Sequence, residues 1–118
     1  MLYPFKNLER IYLHRDYADF RKGVNGLIEQ LLAIDNLDVQ SSSLFVFCNK
    51  KRNSIKAIYW DKTGFCLWHK RLEKATYKWP KKHTMTCIEL NHDMFQLFLK
   101  GVDISKVSTH KGIQNLVI

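Results

Sequence analysis

Leu44-Phe45-Val46-Phe47-Cys48 is the longest purely apolar run in the chain, closed off by Ser43 and Asn49. A membrane-spanning helix would need about 20 such residues, and a buried helix roughly 10–12. The aromatic and β-branched content predicts a strand, and the lack of polar alternation predicts one buried on both faces. Such a strand belongs in the middle of a sheet. The sequence after it has hairpin form. Asn49-Lys50-Lys51-Arg52-Asn53 reads as a tight basic turn and Ile55–Trp60 as the returning strand. Asp61-Lys62-Thr63-Gly64 reads as a second turn, with Gly64 suited to a positive φ, and Phe65–Leu72 as a third strand.

The second hairpin also fixes a register. A two-residue or a four-residue loop at 61–64 sets Trp60 opposite Phe65, Ile58 opposite Leu67 and Lys56 opposite His69. One face then carries Lys56, Ile58, Trp60, Phe65, Leu67, His69 and Arg71; the other carries Ile55, Ala57, Tyr59, Cys66, Trp68, Lys70 and Leu72. Both faces are apolar near the 61–64 turn. Both become basic at the far end, beside Lys50, Lys51 and Arg52.

Around this centre the remaining elements are shorter. Arg10–His14 is β-prone and reads as the first strand. Asp16 or Asp19 then caps a helix whose apolar stripe runs Phe20, Val24, Leu27, Leu31, widened by Ile28 and Leu32. Gly23 and Gly26 each cost such a helix roughly 1 kcal/mol relative to Ala. They imply close packing against another element, or a helix start lying near a partner. Asn36 is placed for a left-handed stop, and residues 35–43 read as a polar loop. Thr76–Trp79 reads as a short fourth strand stopped by Pro80, and Met85–Leu90 as a fifth. Asn91 caps a second helix, with Asp93 in its first turn, Met94, Leu97 and Phe98 on the buried face, and Lys100-Gly101 closing it. The apolar end of Gly112–Ile118 predicts an edge strand or a partner contact. These elements predict one domain over residues 1–118, of the α+β class. It would have an antiparallel sheet of about five to six strands with helices packed on one face.

The positive charge is concentrated in one stretch. The chain has 118 residues and a net charge of +8. Residues 50–82 hold eleven basic groups against Asp61 and Glu73 alone, so this stretch carries the whole excess. It also holds Tyr59, Trp60, Phe65, Trp68, Tyr77 and Trp79. Basic groups interleaved with aromatics suit a phosphate backbone and base faces; the plainer alternative is a soluble surface over an aromatic core. The rings read more readily as core, the charge more readily as a surface for a polyanion.

Catalytic chemistry finds little footing. Cys66, His69, His83 and Cys87 have a zinc-like spacing, but residues 66 and 69 would point to opposite faces of a strand, so no metal is expected. Asp16, Asp19, Asp61 and Glu73 read as caps and turn residues, not as a spaced carboxylate set for Mg²⁺. There is no phosphate loop, nucleophile elbow or oriented Cys–His pair, so neither catalytic residues nor cofactors are expected. Three cysteines and no apolar leader in the first 25 residues predict a reducing cytoplasm, with no disulfide framework and no membrane segment.

Two stretches resemble a known family. Asp19-Phe20-Arg21-Lys22-Gly23-Val24-Asn25-Gly26-Leu27 is similar to the D-M-R-K-G-x-x-G-L segment of the TnpB (Orf2-like) accessory proteins of IS-sixty-six-type bacterial insertion sequences, with Phe20 in place of Met. Leu44–Phe47, Asn49–Lys56, Tyr59-Trp60-Asp61, Gly64–Leu67, Lys70–Lys74 and Trp79-Pro80 follow the same pattern, and Leu99–Asp103 resembles its L-L-x-G-I-D ending. The likeness covers residues 10–104 and leaves 105–118 as a tail of unassigned role. It implies a protein encoded beside a separate transposase and used in transposition. On these grounds the expected function is a non-catalytic DNA-binding accessory factor, contacting phosphates through Arg21, Lys22, Lys50, Lys51, Arg52, Lys56, Lys70 and Arg71. An adaptor docking on the transposase is the alternative, and a metal-dependent nuclease the weakest reading.

Overall fold

The computed structural model describes residues 3–34, 37–79, 87–104 and the backbone of 113–116. The expectations for Asn36, for Pro80, for His83 and for residues 85 and 86 of the fifth strand lie outside these residues. In chain order the elements are β1 (Arg10–His14), a 3₁₀ turn (Phe20–Lys22), α1 (Gly23–Leu32), β2 (Ser43–Cys48), β3 (Ser54–Asp61), β4 (Gly64–Arg71), β5 (Cys87–Leu90), α2 (His92–Leu99) and β6 (Ile113–Leu116). The strands form one six-stranded sheet in the order β4-β3-β2-β1-β5-β6. The α+β class is as the sequence predicts, and β6 takes the edge position expected of the tail.

Every residue of β2 is buried. Its even and odd positions feed two separate cores. Leu44, Val46 and Cys48 face one side with Ile11, Leu13, Ile55 and Ala57, under Met94, Phe95, Phe98 and Leu99 of α2. Phe45 and Phe47 face the other with Tyr12, Ile58 and Cys87, under Leu27 and Leu31 of α1. The helices therefore pack on opposite faces, which corrects the expectation of one covered face. The reason is β2 itself: a strand that is apolar all round needs a cover on each side.

The pairing of β1 with β2 is parallel, with Leu13 beside Val46, while the other neighbouring pairs are antiparallel. A parallel pair cannot be closed by a tight turn, so the chain between β1 and β2 must cross over the sheet, and α1 lies in that crossover. The β3–β4 register is the expected one: Trp60 pairs with Phe65, Ile58 with Leu67 and Lys56 with His69. Asp61 pairs with Gly64, so the loop is the two-residue one, and its positive φ of 50° falls on Lys62 instead of Gly64. Thr76–Trp79 is not a strand. The segment docks instead through single contacts, Tyr77 N to Arg52 O at 2.6 Å and Trp79 Nε1 to the carbonyls of His14 and Arg15 at 3.0 Å each. Asn91 caps α2 as expected, its side-chain oxygen accepting from Met94 N at 2.8 Å. Among the described residues no helix is long and apolar enough to cross a membrane.

Two separate cores predict independent energetics. Ile55→Val and Ile58→Val, on opposite faces of β3, should each cost about 0.5–1.5 kcal/mol in urea unfolding. The double variant should match the sum of the two to within about 0.5 kcal/mol. A larger coupling would mean that the two residues share one core.

Candidate nucleic-acid interface

The strand directions bring distant segments to one end of the sheet. His14 pairs with Cys87, Cys48 with Ile55 and Ser54 with Arg71. The loop after β1, the 49–53 turn, the end of β4 and the segment after it therefore meet there. Ala18 N donates to Cys48 O at 2.8 Å and Leu72 N to Asn53 O at 2.8 Å, fastening these pieces together.

Asn49 builds the turn. Its side-chain oxygen accepts from Asn53 N at 3.1 Å and Ser54 N at 3.0 Å, while its amide donates to Asn53 Oδ1 at 2.7 Å. With the side chain holding the loop closed, Arg52 adopts φ 59°. Lys50 and Lys51 at the tip are exposed. Reading the sequence by charge missed Asn49; an Asn before a basic loop was the available signal.

The segment around Asp19 is shaped by two glycines. Asp19 caps the 3₁₀ turn, accepting from Arg21 N at 3.0 Å, and its carboxylate also holds the Arg21 guanidinium at 2.9 and 3.0 Å. Gly23 then has φ 69°, separating this turn from α1. A Cβ on Gly26 would stand 2.5 Å from Lys22 Cβ. The packing against another element expected of these glycines is therefore not found: a Cβ on Gly23 would meet nothing within 4 Å, and one on Gly26 would meet Lys22, one turn away in the same segment. Hydrogen bonds from the Arg21 side chain and backbone hold the Asp19 carboxyl down at about 2. Its contacts are complete above the ordinary carboxylate range and are lost as the pH falls toward that value.

The eight basic candidates separate into those used inside the fold and those left at its surface. Lys56 Nζ donates to Phe20 O at 3.0 Å and lies 4.8 Å from that ring's centroid. Lys70 Nζ donates to Leu99 O at 3.1 Å on the other face, where a cation suits the negative end of α2. Arg52 is half-buried, its guanidinium 5.4 Å from the Trp79 ring centroid and its Nη1 enclosed without a hydrogen-bond partner among the described residues. Burial pushes the neighbouring Cys48 thiol up to about 11, although Arg52 pulls the other way. Arg21 is shared with Asp19. Lys22, Lys50, Lys51 and Arg71 are exposed, and Lys50 Nζ stands 5.9 Å from the ring of Tyr17, itself 51% exposed.

The carboxylates and metal-type ligands do not converge. Asp61 sits at the opposite end of the sheet from Asp16 and Asp19, which hold Arg15 and Arg21. Cys66 and His69 fall on opposite faces of β4. No group of three or more His, Cys, Asp or Glu that could hold a metal occurs among the described residues. His69 lies near the Phe20 ring and titrates lower than an ordinary imidazole, first through burial and then through Lys56.

This partition is testable by stability. Arg52→Ala removes the stack on Trp79 and should lower unfolding free energy by about 1–2 kcal/mol. Lys51→Ala should leave it within about 0.5 kcal/mol. Equal effects in urea unfolding would show that Arg52 is as peripheral as Lys51. In a carboxylate NMR titration Asp19 should have a midpoint near 2; an ordinary midpoint would mean the Arg21 clasp is open in solution.

Comparisons with known proteins place the chain. The family described as IS66 Orf2 like protein matches residues 9–109. The protein y4jC of Sinorhizobium fredii is 30% identical over 107 residues, covering 91% of this chain and 90% of that one. The protein y4hO of the same organism is 27% identical over 94 residues, covering 80% and 81%. Both relatives carry the description uncharacterized protein. No solved structure matches. The match spans β1 to α2, the segment Asp19–Leu27 and the whole basic end, and on that extent the chain belongs to the IS66 Orf2-like family of insertion-sequence proteins.

Proposed function

We propose that this chain is a non-catalytic accessory protein of transposition that binds DNA through the basic end of its sheet. One observation carries the reading: Lys22, Lys50, Lys51 and Arg71 stand exposed around one end and form no salt bridge among the described residues, Lys22 feeling only the nearby Asp19 charge, while Lys56, Lys70 and Arg52 are engaged within the fold. The expected set of eight phosphate ligands thereby narrows to four, with Arg21 as a shared fifth. Exposed Lys and Arg that keep their hydration until a phosphate displaces counterions are the ordinary currency of backbone binding. Arg52 serves this site as a positioning residue, since its stack on Trp79 fixes the turn that presents Lys50 and Lys51.

The second reading is an adaptor for the transposase of the same element. Tyr17 favours it, an exposed amphipathic ring beside Lys50 of the kind that anchors protein interfaces.

Salt dependence separates the two. About 3–4 phosphate contacts should give a log–log slope of roughly −3 for duplex DNA. Combining Lys50→Glu, Lys51→Glu and Arg71→Glu should move the slope toward zero and weaken all sequences alike, because phosphate contacts do not read bases. Equal DNA affinity in the parent and the folded triple variant would defeat the DNA reading. A pull-down of the transposase that survives nuclease treatment but fails in the triple variant would establish the adaptor.

A further inference from the structure

Of the three tryptophans, Trp79 lies within the core under α2 and Trp68 packs against it, whereas Trp60 is recruited by neither core. Its half-buried ring meets Phe65 across the hairpin, centroids 5.0 Å apart at 67°. The register puts both rings on the α1 side of the sheet, together with Leu67, His69 and Arg71. On that side the cover over the edge strand is incomplete: Phe65 packs against the α1-side core and His69 meets the Phe20 ring at its edge, but Leu67 is 40% exposed, and His69 and Arg71 are exposed as well. Phe65, Leu67, His69 and Arg71 thus form a track along β4, roughly 20 Å long, from the aromatic pair to the basic end.

We propose that this face of the β3–β4 hairpin binds single-stranded DNA, with bases stacked on Trp60 and Phe65 and the sugar–phosphate chain running over Leu67 and His69 to Arg71. The inference rests on the DNA-binding reading above and specifies the form of DNA. Each base has a flat apolar face that an exposed ring can cover, but in a duplex those faces are closed by the neighbouring pairs. A half-buried Trp60 that neither core recruits, backed by a Phe65 anchored on the α1-side core, has nothing to offer intact duplex and a matched surface to offer unpaired bases. Charge fits the same occupant. The track leads to Arg71, Lys50 and Lys51, with Lys62 exposed beside the ring pair at the other end. As an edge strand, β4 also leaves room for a backbone to lie alongside it. The length suits about 4 nucleotides, the lower end of single-strand site sizes.

The test uses the full chain, an oligo(dT) of about a dozen nucleotides and a duplex of equal length, at one salt concentration. The parent should bind oligo(dT) with quenching of tryptophan fluorescence. Trp60→Leu combined with Phe65→Leu should lose roughly tenfold or more in oligo(dT) affinity, with duplex affinity unchanged within about twofold. Trp60→Phe, which keeps an aromatic face, should retain most of the affinity and lose the quench. That variant carries the test if the double variant does not fold. Oligo(dT) affinity equal to the parent's in the folded double variant, or a quench that persists in Trp60→Phe, would overturn the proposal. Binding of the parent to duplex alone would overturn it while leaving the DNA reading intact. Binding to neither form would overturn both.

Discussion

The fold depends on one constraint: β2 has no polar side. With Leu44 to Cys48 fully buried, the strand requires a hydrogen-bonded neighbour at each edge and an apolar cover on each face. The chain meets the edge requirement with β1 and β3. It meets the face requirement with two different helices, α1 from the β1–β2 crossover and α2 from the segment after β5. Since β1 runs parallel to β2, the crossover must begin where β1 ends, at the same end of the sheet as the 49–53 turn. The Asp19–Lys22 segment therefore comes to rest beside Lys50 and Lys51 although nearly thirty residues separate them in sequence. The basic end is a consequence of satisfying β2.

Local pattern carried the reading where the interaction is local. Hairpin register follows from alternation and a short loop, so Trp60 to Phe65 and its successors were legible. The Asn91 cap and the closing Lys100-Gly101 are likewise written within a few residues, and Gly101 has φ 89°. The cover on both faces was not drawn from the sequence: the expectation put the helices on one face, although a run apolar on both sides needs α2 over Leu44, Val46 and Cys48 and α1 over Phe45 and Phe47. What local pattern could not supply was the partner of a strand or segment. Nothing within Arg10–His14 states that it pairs parallel to β2. Nothing in Thr76–Trp79 states that it docks by one backbone bond to Arg52 and an indole bond to the end of β1, instead of extending the sheet.

The same limit applies to the charged groups. Lys56 and Lys70 look like free surface cations in the sequence, yet each reaches a backbone carbonyl, at Phe20 and Leu99, that only tertiary structure brings near. A lysine bonded to a carbonyl must give up that bond and leave an acceptor unsatisfied before it can meet a phosphate, a loss of about 1 kcal/mol. Arg52 would sacrifice its stack on Trp79 as well. Net charge consequently overstates the interface, and the count that matters is of cations whose best available partner is water.

That count also explains why the Asp19–Gly26 segment combines an acid with two bases at a site proposed to attract phosphate. Asp19 offsets Arg21, so as a source of charge the pair contributes little. As architecture it contributes more: the carboxylate closes the 3₁₀ turn, Gly23 at φ 69° lets α1 start afresh, and Gly26 leaves space for the Lys22 stem. The result is a Lys22 whose stem is held against the helix while its ammonium remains exposed at the end of the sheet. A long side chain fixed at its base loses less freedom when its tip meets an anion, so the segment that spends one charge on structure lowers the cost of using the next.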